Sequence, residues 1–110
     1  MRKIITAPRI RFQAHNSTEN LIIEGVTRCI YSESDDPSDA GKLIKKTLKM
    51  KTTRDNAQYF INNNTRGIVN LITNVNEQFN IGTSDFPCQI KHAGDLVYTE
   101  LTFIASEPVL

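Results

Sequence analysis

The chain has 110 residues, 39% of them hydrophobic and 23% charged, with 13 Lys+Arg against 12 Asp+Glu. That length suits one domain over residues 1–110 and leaves too little polypeptide for two independent cores. The charge balance excludes a polyanion or a strongly basic arm, no apolar run approaches the ~20 residues of a membrane span, and two cysteines do not make a disulfide scaffold.

Residues 1–8 are too short a run, and too soon interrupted by Pro8, for a secretory segment. A reducing, cytoplasmic setting is therefore expected. Residues 9–14 alternate apolar and polar, which predicts a half-buried strand opening after Pro8. A turn cluster follows at 15–20, then a β-branched run at 21–31 predicts a second strand, with Gly25 as a candidate bulge. Together these read as a hairpin.

Residues 32–39 read as a loop that ends in a helix start. Asp36 suits the N-cap, Pro37 the first helical position, and Asp39 the positive end of the dipole. On a wheel of about 100° per residue, Leu43, Ile44, Thr47, Leu48 and Met50 separate from Lys42, Lys45, Lys46 and Lys49. A helix over roughly 37–50 is predicted, apolar on one face and lysine on the other.

A second helical signal runs over 53–79, with Thr52 and Thr53 as caps and Asp55 in the first turn. Ile68, Leu71, Ile72, Val75 and Phe79 form a helical stripe, and Ala57, Phe60 and Ile61 lie in phase with it. Phase alone allows one helix. The run Asn62-Asn63-Asn64 favours a break, with Thr65 capping a new helix. Gly82 is then a candidate C-terminal cap. Residues 86–92 and 96–105 flank a turn and predict a C-terminal hairpin, followed by a frayed tail over 106–110.

Strands at both ends with helices between them predict an α+β fold: an antiparallel sheet from the N-terminal and C-terminal hairpins, with two or three central helices packed on one face.

Charge is unevenly placed. Residues 1–54 carry +5 and residues 55–110 carry −4. The densest block, Lys42, Lys45, Lys46, Lys49, Lys51 and Arg54, supplies the candidate contact residues. Its plainest reading is a wet helix face whose charges suit the dipole; its functional reading is a surface for phosphate or for an acidic partner. Aromatic base-stacking runs and zinc-finger spacing are missing from the sequence, which argues against sequence readout.

The reactive inventory is short. Cys29 and Cys88 fall in predicted strands, where free cysteine usually acts as a small buried hydrophobe. With His15 and His92 they offer zinc-compatible atoms, but no CxxC or HxxxH pair holds two ligands locally, so no metal site is expected. Scattered glycines make no phosphate loop, and no cofactor is expected. His15 and His92 near Lys91 would form the best acid–base pair available, that of a small histidine-dependent nuclease or hydrolase. The leading expectation is instead a non-catalytic interaction or regulatory module that binds another protein, as an inhibitor or modulator, and pairs as a homodimer. Nucleic-acid binding through the basic face is the alternative.

Overall fold

A computed structural model describes residues 2–15, 20–26, 28–38, 41–62, 66–94 and 97–108. In chain order the elements are β1 (Arg2–Thr6), β2 (Arg9–Ala14), β3 (Asn20–Ile23), β4 (Arg28–Ser38), β5 (Gly41–Thr53), α1 (Arg54–Asn62), β6 (Gly67–Ile72), β7 (Gln78–Ile81), β8 (Gln89–Gly94) and β9 (Tyr98–Pro108). The strands form two antiparallel sheets, a five-stranded one in the order β1-β4-β5-β9-β8 and a four-stranded one in the order β3-β2-β6-β7.

The inner faces of the two sheets close over one apolar cluster. Cys29, Tyr31, Leu48, Met50, Leu101 and Phe103 come from the five-stranded sheet, and Ile10, Phe12, Val69, Leu71 and Ile81 from the other. Phe12 and Phe103 meet across the gap at 6.2 Å, and Tyr31 and Phe79 at 4.7 Å. The single helix closes one end of this sandwich. Phe60 sits edge-on to both Phe12 and Phe103, at 5.0 and 5.5 Å, and Ala57 is buried beside it. Thr53 caps the helix: its Oγ1 accepts from the Asn56 N–H at 3.3 Å.

The α+β expectation is overturned. The fold is almost wholly antiparallel β, with one short helix among the described residues in place of the two or three expected. The segment expected as a helix over 37–50 is instead the end of β4 and most of β5, paired to β4 on one side and β9 on the other. Asp36 and Pro37 are strand residues opposite Leu43 and Lys42 rather than a helix start; Asp39 and Ala40 lie outside the described residues.

The reason is physical. From Thr47 to Thr53 the chain alternates, with Leu48, Met50 and Thr52 buried and Lys49 and Lys51 exposed. A central strand saturates its backbone on both edges, and its threonines suit a pleat better than a helix. The alternation fails at Lys46, which points inward; there its ammonium meets the Glu107 carboxylate at 2.7 Å. That one inward lysine made the segment resemble a helix face.

The stripe over 68–79 misled in a similar way. Gly67, Val69, Leu71 and Thr73 are buried at every second position, while Ile68 and Ile72 are half-buried on the outer side. Apolar residues on both sides of a strand, isoleucine outside and valine and leucine inside, imitate helical spacing. Val75, expected in a core, lies in the β6–β7 turn and is 67% exposed. That turn holds Asn76 at φ 64°, and the Thr73 hydroxyl accepts from the Val75 and Glu77 N–H groups at 3.3 and 3.0 Å, a hairpin loop with a left-handed last residue. The break after Asn62 was read correctly, but a strand follows it; Asn63, Asn64 and Thr65 lie outside the described residues.

Five smaller corrections concern the two ends and two glycines. Residues 9–14 and 20–23 do pair as a hairpin, but 28–31 belong to the other sheet. Gly25, at φ 77°, marks the crossing between sheets rather than a bulge. Gly82 ends a strand, not a helix, and its buried N–H donates to the Glu107 carboxylate at 2.9 Å. Residues 106–108 continue β9 instead of fraying, and β1, unanticipated, adds an edge strand beside β4. The C-terminal hairpin is present as β8–β9.

Candidate functional site

Pleating assigns every side chain of the five-stranded sheet to one of two faces. Leu48, Met50 and Thr52 point into the sandwich, so Lys45, Thr47, Lys49 and Lys51 point out. Strand register carries that assignment across the sheet. One outer row runs Ile4, Ile30, Lys49, Thr102 and Lys91; the row beside it runs Thr6, Arg28, Lys51, Glu100 and Ala93. Arg2, Ser32 and Thr47 form a third, and Ser34, Lys45 and Ser106 a fourth.

The outer face thus displays Arg2, Arg28, Lys45, Lys49, Lys51 and Lys91, all exposed, against Glu100 and, by its register position opposite Leu43, Asp36, a formal +4. The whole chain carries +1, so the rest of the molecule carries −3. Lysines two apart on β5 are spaced by about 6.8 Å, and neighbouring strands by about 4.8 Å. The result is a shallow basic grid with hydroxyls between the charges.

Of the sequence-predicted contact residues, Lys45, Lys49 and Lys51 belong to this face. Lys46 does not: its ammonium binds Glu107 and also donates to the Asn80 carbonyl at 3.3 Å. The side chains of Lys42 and Arg54 lie outside the described residues. Arg2, Arg28 and Lys91 were missed. They lie on other strands, and sheet order alone brings β4 beside β5 and places β1 and β8 one strand further out on the same face.

Two ion pairs occur among the described residues, and both use inward-pointing lysines. Lys3 meets Glu77 at 2.7 Å and stands 5.4 Å from the Phe79 ring centroid, while Lys46 meets Glu107. The first pair ties β1 to the β6–β7 turn; the second joins neighbouring strands of one sheet and reaches the other through the Asn80 carbonyl and the Gly82 N–H. A related polar cluster closes the end of the sandwich, where the Tyr31 hydroxyl donates to Glu33 Oε1 at 2.6 Å. Burial, and then the Glu33 carboxylate, pushes the Tyr31 hydroxyl well above its ordinary range. Bonded inside the fold, these groups serve structure rather than turnover.

On the outer face a depression of about 600 Å³ opens between β4, β5 and β9. Arg28, Lys49 and Lys51 line one side, and Tyr98 and Glu100 the other. Tyr98 is 50% exposed and stands opposite Thr53, one outward position from Glu100 on the same strand.

The remaining reactive groups do not assemble. His15 follows β2 in the four-stranded sheet, and His92 lies on β8 in the other. Both are exposed, and no hydrogen bond joins them among the described residues. Cys29 and Cys88 are buried free thiols; burial pushes Cys29 up to about 11 and Cys88 up to about 12. Thiols held protonated at neutral pH are poor nucleophiles and poor metal ligands.

Comparison of the chain with protein-family models, with curated proteins and with solved structures finds no match. Among the described residues no helix is long and apolar enough to cross a membrane.

Proposed function

We propose that this protein is a non-catalytic binding module that takes nucleic acid on the outer face of its five-stranded sheet. The observation that carries this reading is the charge of that face: six exposed basic side chains against two acidic positions, on a chain of net charge +1. Surfaces that serve only solubility intersperse both signs. Here the inward lysines take carboxylate partners, while the outer ones stand among hydroxyls and are not ion-paired among the described residues. A surface of one sign with hydrogen-bonding hydroxyls matches a phosphate backbone, where affinity comes from counterion release.

Gel retardation of a labelled oligonucleotide at about 50 mM salt tests the reading. Binding is expected, with log affinity falling against log salt at a slope of about −2 to −3, as for three or four phosphate contacts. The Lys49→Glu, Lys51→Glu double variant should weaken binding by at least about tenfold, because each charge-assisted bond is worth about 1.5–3 kcal/mol. Arg9→Glu with Arg11→Glu, on the other outer face, should leave it nearly unchanged. No retardation at low salt, or equal loss from both double variants, overturns the proposal.

A protein partner or a second copy of the chain is favoured by a different observation. Ile22 is 65% exposed on the outer face of the four-stranded sheet, in register with Arg11, which pairs in turn with Asn70. Sedimentation across a concentration series tests the homodimer; a monomer at all concentrations rules it out.

A further inference from the structure

We infer that the nucleic acid this face takes is single-stranded, with one nucleotide seated in the depression between β4, β5 and β9 and its base stacked on Tyr98. The inference rests on the nucleic-acid reading above and adds the form of the ligand and the place of one base.

The geometry of the sheet argues first. A duplex is read through its major groove, which admits a helix or a two-stranded ribbon. Five strands at about 4.8 Å spacing present a surface of about 20 Å, too broad for a groove of about 12 Å. Such a surface suits a strand laid flat, whose unstacked bases rest on side chains and whose phosphates follow a basic track.

The depression supplies both parts. Arg28, Lys49 and Lys51 stand together on β4 and β5, a triplet of cations for successive phosphates. On β9 the side chains differ in kind. Tyr98 exposes half its surface and offers a ring face, and every base can stack on a ring. Glu100, the acid that lines this depression, stands next to Tyr98 on the outer side of β9 and opposite Lys51. A carboxylate repels a phosphate but accepts a hydrogen bond from a base amino group. The backbone is therefore directed to the β4–β5 side and the base to the β9 side. The volume of about 600 Å³ lies within the range of small-ligand sites.

Fluorescence anisotropy with a labelled single strand of about 12 nucleotides, and with a hairpin duplex of matched charge, separates the outcomes. The single strand should bind more tightly than the duplex. Tyr98→Ala should lower single-strand affinity by about fivefold or more, and Tyr98→Phe should retain most of it, because stacking needs the ring and not the hydroxyl. Urea denaturation of each variant should match the parent, since an exposed side chain is being changed. Unchanged single-strand affinity in Tyr98→Ala, or duplex binding as tight as single-strand binding, overturns the inference; if Lys49→Glu, Lys51→Glu still weakens both probes, the broader nucleic-acid reading survives. Absence of binding to either probe sinks both.

Discussion

The two outer faces of the sandwich are built on the same alternation and differ in their density of charge. On the five-stranded sheet the outward positions hold six lysines and arginines among threonines and serines, with Glu100, Asp36 and the isoleucines Ile4, Ile30 and Ile104. On the four-stranded sheet they hold Gln13, Asn20, Asn70, Gln78 and Asn80 around three isoleucines, with Arg9 and Arg11 as the only charges among the described strand residues. There Asn70 donates to Asn80 across the ladder at 2.6 Å, so part of the amide capacity is already used within the sheet. The interior demands the same of both sheets, namely large apolar side chains at every second position. The exterior is under no such demand, and a difference between the two faces is where a binding role shows.

The comparison assumes that both faces rest on one shared interior, and the largest predicted effect tests that assumption. Phe103 touches Phe12 of the opposite sheet and Phe60 of the helix. Phe103→Ala should cost about 3–5 kcal/mol in urea denaturation, with one transition seen alike by circular dichroism and by loss of oligonucleotide binding. Two separate transitions would show that the sheets unfold independently and that the faces are not mounted on a common core.

A smaller effect separates the two kinds of lysine on β5. Lys46→Ala leaves Glu107, only 12% exposed in its side chain, with an unanswered charge, at a cost of about 1–3 kcal/mol. Lys45→Ala, one residue away on the outer side, should change stability by no more than about 0.5 kcal/mol. If the two substitutions cost the same, the division between stitching and displayed lysines fails.

Near neutral pH the smallest effect is that of the buried thiols, which shows only as a pH dependence in alkali. In the unfolded chain Cys29 and Cys88 ionise near 9.0, whereas burial holds them at about 11 and about 12 in the fold. The folded state thus binds more protons between those values, and stability falls as pH rises. Urea midpoints should be flat with respect to the thiols below pH ~9 and decline above it. Cys29→Ala with Cys88→Ala should flatten that decline, and an unaltered slope in this variant would remove the thiols as its cause.

Much of the local structure was legible in the residues. The alternation at 9–14 gave β2, the turn residues around Gly94 gave β8–β9, and Thr53 with Asp55 marked the start of the one helix. The candidate site was legible only in part. Lys45 and Lys49 were singled out as the outer side of a helix, with Lys46 wrongly among them, and Lys51 as a charge just beyond it. Arg2, Arg28 and Lys91 left no signal that joined them to this block, since each lies in a different strand.

Local spacing determines which residues seek burial, where turns fall and where basic side chains are dense; those preferences act over a few residues and can be read along the chain. Whether Ile44, Leu48 and Met50 face inward as part of a helix stripe or as alternate strand positions depends on what lies alongside them. β4 and β9 bring backbone partners for β5 from distant parts of the chain, and Glu107 brings the charge that lets Lys46 turn in. Only tertiary pairing decided the strand, and with it which lysines face solvent together, because hydrogen-bond partners in a sheet are set by neighbours in space and not in sequence.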